Sequence, residues 1–121
     1  MNPERAFHYA MASKPAEDTR VIVCQDPRYA YYYAIFADRY PREDTRKAAC
    51  QDSYYAYCYA EDVDKCPTED TRKAACEDPR NAYLYAINVD KGFHEETYDA
   101  IRGTEYEKKY EKFMKNLMKE E

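Results

Sequence analysis

The run EDTRKAACEDPRNAYLYAINVDK occupies Glu69–Lys91, and it is one of three near-copies in the chain. EDTRKAACQDSYYAYCYAEDVDK begins at Glu43 and EDTRVIVCQDPRYAYYYAIFADR at Glu17, so the three starts are evenly spaced along the chain. A weaker copy, EETYDAIRGTEYEKKY, starts at Glu95, one further step of the same length. Strong self-similarity at one fixed period is the mark of stacked repeat units, because each unit buries its apolar face only against its neighbours.

Each unit reads as a helical hairpin. Asp26-Pro27 and Asp78-Pro79 are helix starts, with Asp capping free amides and Pro in the first helical position. Asp52-Ser53 fills the same slot. The segment that follows contains Ala-Tyr-x-Tyr-Ala at 30–34, 56–60 and 82–86, and it is free of Gly and Pro inside. A shorter helix precedes it, entered near Pro15, Pro41 or Pro67 and running through EDTR to a cysteine. Within it Thr19, Ile22 and Val23 share a face, as do Thr45, Ala48 and Ala49, and Thr71, Ala74 and Ala75. The expected fold is an all-α solenoid of tandem 26-residue hairpins with about nine short helices.

The expected layout is one helical-repeat domain over 1–121. An N-terminal half-repeat covers 1–14, full repeats cover 15–40, 41–66 and 67–92, and a degenerate capping repeat covers 93–121. Ala6-Phe7-His8-Tyr9-Ala10 is the half-repeat's version of the tyrosine phrase. In the last segment Gly103 ends a short helix and Thr104 opens a final one. Tyr106, Tyr110, Phe113 and Leu117 form an apolar stripe on it, opposite a Glu/Lys face suited to closing the array.

Composition narrows the functions. The chain has 15 Tyr, two Gly and no Trp, a net charge of −5 and a mean hydropathy of −1.03. A core built from Ala, Tyr and Cys is implied, and the negative charge disfavours direct nonspecific nucleic-acid binding. No apolar run reaches membrane-spanning length and no signal peptide precedes the first helix, so a cytoplasmic protein is expected. Cys24, Cys50 and Cys76 hold one repeat position, roughly 9–10 Å apart by helix packing, too far to bridge. They read as small buried thiols, with Cys58 and Cys66 outside that register.

Catalytic candidates are few. His8 and His94 sit near opposite ends, Ser13 and Ser53 are the only serines, and two glycines cannot make a phosphate loop. Asp62, Asp64 and Cys66 match no strong metal-ligand spacing, and no cofactor is expected. Stacking aligns Glu17, Glu43 and Glu69 in one row and Arg20, Arg46 and Arg72 in another. They read as a structural charge ladder, each Arg reaching the Glu three residues back or the next unit. The paired tyrosines 31 and 33, 57 and 59, and 83 and 85 recur as identically as the alanines beside them and read as a core layer.

Positions where the repeats disagree carry the functional expectation. Repeat one has Val21 for Lys47 and Lys73, Tyr32 for Cys58 and Leu84, and Phe36 for Asp62 and Asn88. Tyr29, Tyr32 and Phe36 lie on one helical stripe, flanked by Ile35 and Arg39. Slots that accept Asp, Glu and Asn elsewhere face water, so an aromatic patch on a charged surface is expected there. It has three outlets: a partner protein, cover by the first helix, or a homodimer contact.

The phrase Asp26-Pro27-Arg28-Tyr29-Ala30-Tyr31-Tyr32-Tyr33-Ala34 resembles a tandem 26-residue repeat of bacteriophage and large-virus proteins, of the type DPxYAYxYAxxVxKG. So does Asp78-Pro79-Arg80-Asn81-Ala82-Tyr83-Leu84-Tyr85-Ala86, with Val89, Lys91 and Gly92 in place. The resemblance covers most of the chain, departs from it in the fixed EDTR, and brings no catalytic residue. It implies a small, non-enzymatic phage protein in the host cytoplasm that inhibits a host or anti-phage defence factor, in the manner of an anti-CRISPR. An acidic inhibitor suits a nucleic-acid-binding target with a basic groove. The rival expectation is a sponge that captures a small nucleotide on a tyrosine-lined face.

Overall fold

Carboxylate and amide caps start the long helices where the sequence placed them. Asn2 Oδ1 accepts from the Arg5 amide, and Asp26, Asp52 and Asp78 each accept from the two amides that follow their N1 residue. The computed structural model describes residues 1–119, and Glu120 and Glu121, at the end of the segment read as 93–121, lie outside the described residues. Nine helices and no strands are found among the described residues. They are α1 (Pro3–Ala12), α2 (Glu17–Val23), α3 (Pro27–Tyr32), α4 (Glu43–Ala49), α5 (Ser53–Tyr59), α6 (Glu69–Ala75), α7 (Pro79–Tyr85), α8 (Glu95–Ile101) and α9 (Glu107–Lys119). Each long helix packs on the short helix of the next unit, α1 on α2, α3 on α4, α5 on α6 and α7 on α8. The long helices also stack in a row, α1, α3, α5, α7. This is the neighbour-to-neighbour packing of a short solenoid.

A tyrosine hydroxyl holds each hairpin shut. Ala16 and Arg42 precede short helices without any side-chain cap of their own. The Ala16 amide donates to Tyr33 Oη at 2.9 Å, the Arg42 amide to Tyr59 Oη at 3.0 Å, and the Thr68 amide to Tyr85 Oη at 3.1 Å. Thr19, Thr45 and Thr71 meet the same hydroxyls at 2.7–2.9 Å. The three rings are fully buried, as is Tyr110 in the last unit. There Thr97 donates to the His94 carbonyl, but the Tyr110 hydroxyl makes no hydrogen bond of good geometry. The core expectation holds for the second tyrosine of each pair. Of the first tyrosines only Tyr57 is buried, while Tyr31 and Tyr83 are half-buried.

The long helices α3, α5 and α7 do not finish as α-helices. They widen into π-helix over Tyr33–Asp38, Ala60–Asp64 and Ala86–Asp90. In an α-helix residues five apart point to different sides, whereas i→i+5 closure sets them one above the other. The widening therefore puts Asp38, Asp64 and Asp90 on the same side as Tyr33, Tyr59 and Tyr85. Arg20, Arg46 and Arg72 run inward over those rings, 5.1–5.7 Å from their centroids. They end on those aspartates at 2.5, 2.5 and 2.6 Å.

This corrects the charge ladder. Its arginines are partnered by the aspartates that end the long helix of the same hairpin, not by Glu17, Glu43 and Glu69. Glu17 keeps a 3.8 Å contact to Arg20 while three-quarters exposed, Arg20 also lies 3.9 Å from Asp44 of the next unit, and Glu43 pairs with Lys47 at 3.0 Å. First-turn glutamates point to water, and the guanidinium gains more from a buried ring and carboxylate. Arg46 and Arg72 each grip their aspartate through two nitrogens, which holds both guanidinium groups above their ordinary pKa. Arg20 makes a single hydrogen bond to its aspartate, and Asp38 Oδ1 is buried without a partner.

Two substitutions read this frame. Asp64→Ala leaves the partly buried Arg46 guanidinium without its partner and is expected to lower the unfolding free energy by about 1.5–3 kcal/mol, while Glu69→Ala leaves the urea midpoint where it was. Tyr59→Phe removes the partner of the Arg42 amide and of Thr45, and a loss of about 1–3 kcal/mol is expected in the same measurement.

Candidate functional site

The patch read from repeat one is assembled only in part, because its six residues fall in three places. Tyr29, Tyr32 and Phe36 form an aromatic cluster with Phe7 of α1 at its centre, ring centroids 6.1, 5.9 and 6.3 Å from Phe7. Tyr29 and Tyr32 are half-buried there, while Phe36 remains 50% exposed. The Arg28 guanidinium lies over Tyr29 at 4.9 Å. Ile35 and Arg39 instead line a groove of about 360 Å³ between repeats one and two, with Tyr40, Asp62 and Lys65. Val21 is exposed on α2, in the row of short helices and outside the aromatic contacts.

A physical rule accounts for the divergence of repeat one. Phe7 and Phe36 meet where Tyr31 meets Asp62 and where Tyr57 meets Asn88. In the second interface the Tyr31 hydroxyl donates to the Asp62 carboxylate. In the third, Asn88 Nδ2 donates to Tyr57 Oη at 2.8 Å. A phenylalanine has no hydroxyl, so its opposite number is an apolar ring and not a carboxylate. The same rule explains the missing proline of repeat two. Ser53 Oγ accepts from Asn81 Nδ2 at 2.8 Å, across the interface from repeat three. Differences between repeats thus occur in matched pairs a little more than one repeat apart, a coupling visible in the sequence only once the register of stacking is known.

The rings continue beyond the patch, through Tyr32 and Tyr31 to Tyr55, Tyr54 and Tyr57, with neighbouring centroids 5.3–6.4 Å apart. Along this run the Tyr31 and Tyr57 hydroxyls are engaged inside the fold, and Tyr54 is half exposed. At the far end Tyr106 stacks on Tyr83 at 5.6 Å, and Tyr110 is buried as the capping stripe requires.

Residues weighed for chemistry have structural partners. His94 Nδ1 accepts from the Glu96 amide and caps α8, and His8 is exposed beside Phe7. Asp62 is held by Tyr31 and Asp64 by Arg46, while Cys66 is exposed. Among the described residues no group of three or more His, Cys, Asp or Glu is placed to hold a metal ion. All five cysteines are free, and Cys24, Cys50 and Cys76 are half-buried where full burial was expected. No helix among the described residues is long and apolar enough to cross a membrane. Compared with known protein families, curated proteins and solved structures, the chain finds no significant match in any of the three.

Burial raises the thiols of Cys24, Cys50 and Cys58 from 9.0 to about 11, and that of Cys76 to about 12. Folding therefore suppresses their ionisation. Their contribution to stability is complete below pH 9 and is lost as pH rises through 11. Urea midpoints should fall steadily above pH 9, and Cys50→Ala should make that fall shallower.

Proposed function

We propose that this chain is a non-enzymatic binding protein that docks another protein on the outer face of its first repeat. The observation that carries this reading is Phe36, which stays 50% exposed even with α1 packed beside it. Repeats two and three close the same contact with a hydroxyl and a carboxylate or amide, groups that tolerate water. An aromatic pair at a wet position is the better choice only where a partner excludes the water. Val21, exposed where the other repeats carry Lys47 and Lys73, points the same way on the row of short helices.

The threonines, arginines and aspartates repeated in the full units, and the second tyrosine of each pair, are occupied by the fold, which supports a binding scaffold over an enzyme. The resemblance to viral repeats supplies the biological side of the proposal: inhibition of a host defence factor in the cytoplasm. Five free cysteines suit a reducing compartment, and the net charge of −5 suits a target that itself binds nucleic acid.

Phe36→Asp alone is expected to cost about 0.5–1.5 kcal/mol by removing an aromatic pair. Adding Phe7→Tyr recreates the hydroxyl–carboxylate pair of the next interface and should return that loss. The variant Phe7→Tyr, Phe36→Asp, Val21→Lys therefore keeps the fold while removing the apolar surface. Wild type should retain a defence protein from lysate of a defence-carrying host, in a salt-sensitive manner, and the triple variant should release it. Equal retention by both would refute this docking face.

A further inference from the structure

A second surface, apart from the aromatic face, runs along the ends of the three π-helical turns. Arg39, Lys65 and Lys91 end those turns in the left-handed conformation, with φ of 64°, 58° and 53°. Such a conformation strains a residue with a side chain, and glycine avoids that strain. Only glycine and short polar residues adopt it routinely, yet all three positions carry a long cation. In repeat three a glycine stands one residue later, at Gly92, where it does not relieve this strain.

Two grooves join these cations. The first, of about 360 Å³, includes Ala34, Arg39, Pro41, Val63 and Lys65. The second, of about 570 Å³, includes Ala60, Lys65, Pro67, Val89 and Lys91. Every residue of the second is its counterpart in the first moved on by one repeat, and Lys65 belongs to both. The two grooves meet at Lys65, so Ala, Val and Pro recur along them with a cation at each end and at the middle. Among the described residues, Arg39, Lys65 and Lys91 take part in no ion pair, although the chain is acidic overall. Two carboxylates also line the grooves, Asp62 in the first, where it accepts from the Tyr31 hydroxyl, and Glu61 in the second, so the cations outnumber them three to two.

Stacked helices lie about 8–10 Å apart, and an extended polyproline II chain advances about 3.1 Å per residue, or about 9.3 Å every third residue. One carboxylate per three residues therefore keeps step with one cation per repeat. We propose that these two grooves together bind an extended acidic peptide segment with a carboxylate at every third position, its intervening residues lying on the recurring Ala, Val and Pro. The charges supply orientation and register, and the preformed extended conformation keeps the entropy cost of binding low.

The test is fluorescence anisotropy with the full chain and a fluorescein-labelled peptide of four Glu-Pro-Pro triplets. Its control is a peptide of the same composition with the four glutamates contiguous. Saturable binding, at least about fivefold tighter for the periodic peptide, is expected from matched charge spacing. Lys65→Gly removes the shared cation at a backbone position that favours glycine, so the variant stays folded, and it should weaken binding about tenfold. Lys65→Arg should retain it. The periodic peptide should also slow alkylation of the exposed Cys66, which lines the second groove. Absence of saturable binding, equal affinity for the two peptides, an unaffected Lys65→Gly variant, or tighter binding of oligothymidylate would each overturn the assignment.

Discussion

Each repeat depends on one buried phenol. Tyr33, Tyr59 and Tyr85 each place a hydroxyl at the entry of a short helix, where backbone amides have no partner within the helix. The same ring offers its face to an arginine, and the arginine reaches the aspartate that ends the long helix. One side chain thus ties together the start of the first helix, the middle of the second and the end of the second. Short helices of six or seven residues are not stable alone in water, so this tie, with alanine packing around it, is what makes the hairpin a unit.

The tie also sets the helix type. An aspartate five residues beyond the tyrosine meets the arginine where the last turn is widened, and each widened turn ends in a left-handed residue. Repeat one is the least complete version: Arg20 makes one hydrogen bond to its aspartate where Arg46 and Arg72 make two or more, and an oxygen of Asp38 is left over. The end of the array nearest α1 thus combines the weakest internal pairing with the most exposed residue of the aromatic cluster.

Identity between repeats and difference between repeats carry separate information. Residues that recur are held by contacts inside a unit, as with Thr45, Tyr59, Arg46 and Asp64. Residues that vary meet across units, and they change together: Phe7 with Phe36, Tyr31 with Asp62, Ser53 with Asn81. Variation alone is thus a weak guide to a binding surface, since some of it is compensation. What compensation does not explain is exposure, and Phe36 and Val21 are the apolar residues of the expected patch for which exposure is large.

Period, capping signals and alanine–tyrosine phrasing were enough to establish the nine helices found among the described residues, their order and the hairpin unit, because local hydrogen bonding and repetition act over a few residues. The sequence also marked Tyr29, Tyr32 and Phe36 as one stripe, since helical spacing is local. Tertiary structure decided the rest. That Arg46 turns to Asp64 and away from Glu43 depends on where the long helix of the hairpin ends, and on a π-helical turn that no spacing rule announces. That Ile35 and Arg39 leave the stripe for an inter-repeat groove, and Val21 for the other row of helices, depends on the same packing. Contacts of this kind are set by packing between segments distant in sequence, and burial, not residue type, chooses among the partners each charge could have.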